Sequence, residues 1–152
     1  MIRCLEVSLA IPDNEARTAL ETLQRLGIGL VGLERSDLYR CEVDDDGAER
    51  LVATFSGLET VYNPNKHVLR VRESARPGAG EVWIDEITTG RADAEGGFGR
   101  VAGRTLGGVR SLERFTAWRL SVAPGRPAGS DVVAAATETL LCNAAFQKAL
   151  RA

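Results

Sequence analysis

Few residues in this chain are of types that do chemistry. There is one histidine, His67, so a histidine-based triad or metal cluster has nothing to build on within one chain. Asp44, Asp45 and Asp46 could in principle hold a cation, but the glutamate that ends a calcium-binding loop is missing, and a solvated turn is expected. Gly96, Gly97 and Gly99 suggest a phosphate loop. They lack the Gly-Lys-Ser/Thr ending and do not form a dinucleotide fingerprint after a strand. Cys4, Cys41 and Cys142 are odd in number, far apart and set in apolar contexts, so they read as buried small hydrophobes rather than as disulfides or zinc ligands. No catalytic, cofactor-binding or metal residue is assigned.

Two charged pairs remain, Glu34-Arg35 and Glu113-Arg114. Strand neighbours point to opposite faces, so each pair straddles its strand. The plain expectation is cross-strand ion pairs. The sharper one is symmetric docking contacts to another protein.

These pairs lie in a stretch that occurs twice. Leu26 to Val43 has a counterpart in Leu106 to Val122, and setting Leu33 on Leu112, an offset of 79, puts Glu34 on Glu113, Arg35 on Arg114, Tyr39 on Trp118 and Arg40 on Arg119. Asn63 matches Asn143 at an offset of 80. A period near half the chain length is the mark of internal duplication. The expected units are 1–73, a linker at 74–80 and 81–152. Each half is near the lower size limit for folding alone, so the two should pack together.

Around these stretches the elements follow in order. Leu5, Val7, Leu9 and Ile11 alternate, which predicts a strand over 2–11. Asp13 or Asn14 caps a helix whose apolar stripe is Ala16, Ala19, Leu20, Leu23 and Leu26, with Gly27 as a left-handed stop. A long strand over 31–43 mixes its parity, which predicts a bulge near Ser36-Asp37. A helix over 49–62 and a strand over 66–72 complete the first half. In the second half the pattern predicts a strand over 81–88, a glycine-weakened helix over 93–107 and a long strand over 109–123. Ser130 is expected to cap a helix over 131–150 with Leu140 and Ala145 on its apolar side, leaving a stub of final strand. The fold class is therefore α+β: two tandem repeats, antiparallel sheet with helices on one face, related by a pseudo-twofold.

A net charge of -2 argues against a nucleic-acid surface, and no apolar run is long enough to span a membrane. The N-terminus reads as a strand rather than a leader, so a cytoplasmic location is expected.

The repeat resembles the PurS family, the small subunit of phosphoribosylformylglycinamidine synthase. The residues that carry the resemblance are Leu26-Gly27 closing the first helix, Asn63-Pro64 after the second, and in the second copy Asp93-Ala94-Glu95-Gly96, Leu106-Gly107, Val109-Arg110 and Leu140-Leu141-Cys142-Asn143. The family's proline is Ala94 here, and its Gly-Lys in the long strand is replaced by Ser36-Asp37 and by Phe115-Thr116. The resemblance implies a non-catalytic bridge without a cofactor of its own. It would serve a glutamine-dependent, ATP-consuming ligase of purine biosynthesis by holding the synthetase subunit against the glutaminase subunit. Fusion would make the family's dimer intramolecular. A second reading stays open on the same pattern: an ACT-like regulatory module that binds a small molecule between its two halves, for which an amino-acid-induced thermal shift is the sign.

Overall fold

The computed structural model describes residues 1–59, 61–86 and 109–152, except for the side chains of 45–49, 86, 109 and 110. The elements run β1 (Ile2–Leu9), α1 (Asn14–Arg25), β2 (Gly32–Val43), α2 (Asp45–Ser56), β3 (His67–Arg72), β4 (Glu81–Glu86), β5 (Val109–Ala123), β6 (Arg126–Pro127), α3 (Ser130–Ala136) and β7 (Gln147–Arg151). The strands form one antiparallel sheet in the order β3-β1-β2-β5-β4-β7, with β6 beside β5. The fold is α+β. The expected helix over 93–107 and the glycine group at 96–99 lie outside the described residues.

The helices cover one face. Asp13 caps α1 by accepting the Glu15 and Ala16 amides, and Gly27 takes the left-handed conformation that stops it. Ala16 and Leu23 of α1 and Val133 and Ala136 of α3 pack on Leu33, Val82, Trp118 and Leu120. Leu51 and Phe55 of α2 pack on Leu5, Val7, Tyr39 and Cys41. In the ladder Leu5 pairs with Tyr39, Leu33 with Leu120 and Val82 with Trp118, so all of these side chains share one face.

The opposite face is buried too, which explains the mixed parity of β2. Leu38 points there with Cys4, Trp83, Phe115 and Ala117, a second apolar layer. The bulge expected at Ser36-Asp37 is absent; pairing with β5 is regular there and shifts only at Glu42/Val43. A strand buried on both faces needs no parity break to place apolar residues on each side.

What buries that face is curvature. Arg72 of β3 bonds Glu81 of β4, strands four ladder steps apart. In a flat sheet they would lie roughly 19 Å apart, beyond the reach of two side chains. The sheet therefore curls around this face, and the connection at 73–80 crosses it: the Ala75 carbonyl accepts from Arg40, and the Gly78 amide donates to Glu81.

Three further expectations are corrected. α2 begins at Asp45 rather than at 49, so Asp45 and Asp46 open the helix, as acids suit a helix N-terminus. Gly129, not Ser130, caps α3, and the helix is short: it ends in a wider π-type turn at Thr137–Leu141, where Cys142 is already extended. Leu140 is exposed and Ala145 lies beyond the helix. The final segment is a strand, not a stub: Gln147–Arg151 pairs with β4, and Leu150 packs on the inner apolar layer.

The loops entering β3 and β7 are built alike. The Asn63 carbonyl accepts the amides of Lys66 and His67, and the Asn143 carbonyl accepts those of Phe146 and Gln147. Each asparagine side chain also accepts the amide two residues on, that of Asn65 or Ala145.

Candidate functional site: a buried charge network and an open cleft

Trp83 and Phe115, with ring centroids 5.6 Å apart, floor the concave face, and beside them lies a network of alternating charge. Its centres are two carboxylates, Glu6 of β1 and Glu81 of β4, with side chains only 5% and 7% exposed. Strand alternation puts them there: Glu6 lies between Leu5 and Val7, which face the helices, so its side chain must point the other way.

Arg72 grips Glu81 with two parallel bonds, Nη1 to Oε1 at 2.9 Å and Nη2 to Oε2 at 2.8 Å. Its guanidinium also lies 5.5 Å from the Trp83 ring. Glu81 further accepts from the Gly78 amide at 3.0 Å and from Arg119 Nη2 at 3.1 Å. Burial alone would raise the Glu81 carboxyl, but these donors outweigh it and hold the pKa down at about 2. Burial would likewise lower the Arg72 guanidinium, and the bonds to Glu81 raise it instead.

Glu6 accepts from Ser36 Oγ at 2.8 Å, from Arg70 Nη2 at 3.1 Å and from Arg119 Nη2 at 3.4 Å. Among the described residues every buried side-chain nitrogen or oxygen has a hydrogen-bond partner, so the network is closed on its inner side. Its outer side is open: the Arg70 and Arg119 side chains are 54% and 39% exposed.

That open side is the wall of a cleft of about 650 Å³. The cleft exists because β1 leaves β2 after the Ser8 to Ser36 pair, while Gly32 to Arg35 go on pairing with β5 alone. Glu6, Ser8, Ser36, Arg70 and Arg119 line it from the concave side, and Leu9, Ile11 and Leu20 supply apolar wall.

The four residues singled out in the sequence fall on both faces. Glu34 bonds Arg119 at 3.4 Å and Glu113 bonds Arg40 at 2.6 Å on the concave side, each across the β2·β5 ladder. Arg35 points to the helix side, bonded to Asp13 at 3.1 Å and to Glu15, 5.9 Å from the Trp118 ring. Arg114 lies 3.4 Å from Asp37. Arg35 and Arg114 are brought to one charged groove of about 320 Å³, shared with Asp37 and His67. Glu34 and Glu113 do not reach it.

His67 sits at the start of β3, where Nδ1 accepts the Asn63 amide at 2.9 Å. Burial pushes the Cys4 thiol up to about 11 and the Cys41 thiol up to about 12, against thiolate chemistry at either. Among the described residues no group of three His, Cys, Asp or Glu side chains is placed to hold a metal ion. Nor is any described helix long and apolar enough to cross a membrane.

Sequence reasoning missed Glu6, Glu81, Arg70, Arg72 and Arg119 as a group. Their one signal is alternation: each occupies the strand position opposite to the helix-facing residues, where a solvated face is the ordinary expectation. No family model matches the chain, and no curated protein matches its sequence.

Proposed function

We propose that the chain is a non-catalytic assembly subunit of the PurS type. In this reading two copies of the subunit are fused, and the product holds the ATP-dependent synthetase subunit of phosphoribosylformylglycinamidine synthase against its glutaminase subunit. The observation that carries the reading is the register of β2 on β5. The offset that aligns the two halves sets Asp37 on Thr116, and those two residues are paired in the ladder. It sets Glu34 on Glu113 and Arg40 on Arg119, and the bonded pairs are Glu34 with Arg119 and Arg40 with Glu113. A twofold axis through Asp37 and Thr116 would exchange them in this way.

Two features support the same reading. The strand order, β3-β1-β2 then β5-β4-β7, runs alike from both edges when β4, β5 and β7 are taken as the counterparts of β1, β2 and β3. The Asn63 and Asn143 turns share their hydrogen bonds. The PurS identity itself rests on the short motifs quoted above. Docking is assigned to the ends of the charged groove around Arg35 and Arg114 and to the rim around Glu34 and Glu113.

The test is reconstitution. The chain is co-purified with the synthetase and glutaminase subunits of the same organism in glutamine and ATP, and glutamine-dependent activity is measured with and without it. One chain per complex and activity that requires the chain are expected. Full activity without it, and no binding, would overturn the proposal.

A further inference from the structure

We propose that the cleft between β1 and β2 binds a free α-amino acid, recognised at its carboxylate by Arg70 and Arg119 and at its ammonium by Glu34. The inference goes beyond assembly and does not rest on it.

Charge selects the ligand class. On the concave side the cleft and the network behind it hold three carboxylates, Glu6, Glu34 and Glu81, and three guanidiniums, Arg70, Arg72 and Arg119. A small anion or cation alone would unbalance this set, whereas a zwitterion leaves it neutral. The inner members are saturated, since both oxygens of Glu6 and of Glu81 already accept. The outer members are not. Arg70 uses one of its nitrogens, on Glu6, and keeps the rest of its donors. Arg119 holds Glu81 at 3.1 and 3.3 Å and meets Glu6 and Glu34 at 3.4 Å, which leaves one Nη1 N–H for a ligand. Glu6 on Arg70, and Glu81 with Glu6 on Arg119, therefore hold two half-exposed guanidiniums toward the cleft, preorganised for a carboxylate. Glu34, whose side chain is 75% exposed, bonds Arg119 Nη1 at 3.4 Å and lines the same cleft, so its carboxylate is open to an ammonium there. Leu9, Ile11 and Leu20 leave apolar wall for a side chain. The volume is in the range of small-molecule sites.

The test is calorimetric titration of the intact purified chain with each of the twenty amino acids. It is repeated with the des-amino acid and the decarboxylated amine of any that binds, and with inorganic phosphate. Arg70→Gln and Glu34→Gln are made in parallel, both at exposed side chains, with circular dichroism melts to show that they fold. At least one amino acid is expected to bind with Kd below roughly 1 mM, and each half-molecule and each variant should bind about tenfold more weakly or worse. No binding by any amino acid, affinity unchanged by both variants, or phosphate binding as tightly as the best amino acid would each overturn the proposal. Because the titration uses the chain alone, its failure is separate from a failure of reconstitution. An amino acid that binds while the subunits work without the chain would favour the ACT-like reading.

Discussion

Asn63 and Asn143 donate their backbone N–H to the side chain four residues on, to His67 Nδ1 at 2.9 Å and to Gln147 Oε1 at 2.8 Å. An imidazole and an amide thus do one job at equivalent places, where the chain turns into an edge strand.

His67→Gln should therefore be nearly silent, within about 0.5 kcal/mol by denaturant unfolding. His67→Ala removes the acceptor and should cost ~1 kcal/mol. Equal losses from both substitutions would show that the imidazole matters for another reason.

The Glu81 carboxyl sets an acid limit. Its folded value, about 2, lies below the ordinary carboxylate value, so the stability it contributes is present above the unfolded value and is lost as pH falls through the folded one. Urea midpoints should drop between about pH 4.5 and pH 2. In Glu81→Gln that slope should flatten. The same variant should lose ~3 kcal/mol or more at pH 7, because the mostly buried Arg72 loses its bidentate carboxylate and Arg119 its shortest ion pair.

Gly80 and Gly125 both have positive φ, +74° and +70°, but only Gly80 is crowded: a Cβ there would meet the Leu120 carbonyl oxygen and the Pro127 Cβ, each at 2.8 Å. Gly125 has open space. Gly125→Ala should cost ~1 kcal/mol of backbone strain, and Gly80→Ala clearly more. Thermal melts of the two variants make the comparison, and equal shifts would contradict the packing at β4.

Charge reversal separates docking from structure. Arg35 bonds Asp13, the cap of α1, so Arg35→Glu should lower stability by ~1 kcal/mol or more and unsettle that helix. Arg114 meets Asp37 at a solvated surface, and Arg114→Glu should change stability by about 1 kcal/mol or less. If the groove docks a partner subunit, Arg114→Glu should still fold yet lose co-purification. Unchanged assembly in both variants would remove the groove from the docking surface.

How much of this was readable beforehand depended on whether neighbours within the chain or across the sheet decide the outcome. Asp13, Gly27 and the bounds of β5 follow from local rules, and the structure agrees with them. The parity of Leu38 against Leu33, Cys41 and Val43 did not read correctly, because a bulge and a doubly buried strand leave the same trace in sequence. Helix α3 was overdrawn and β7 underdrawn, since Gln147 to Arg151 is a strand by virtue of its pairing with Glu86 to Val82 rather than of its composition. Cross-strand ion pairs at Glu34 and Glu113 were expected from their place on the long strands, but their partners, Arg119 and Arg40, were not legible there. The Glu6 and Glu81 network was hidden, because it needs a strand order and a curl that bring β3 to β4.

The joint between the halves is not a passive tether. Its Ala75 carbonyl and Gly78 amide are ligands to the charged interior, and it passes over the concave face like a strap. The chain is therefore committed to being one molecule. Cutting at 73–80 would open the interior, leave Glu81 short of a donor and set Trp83 closer to water.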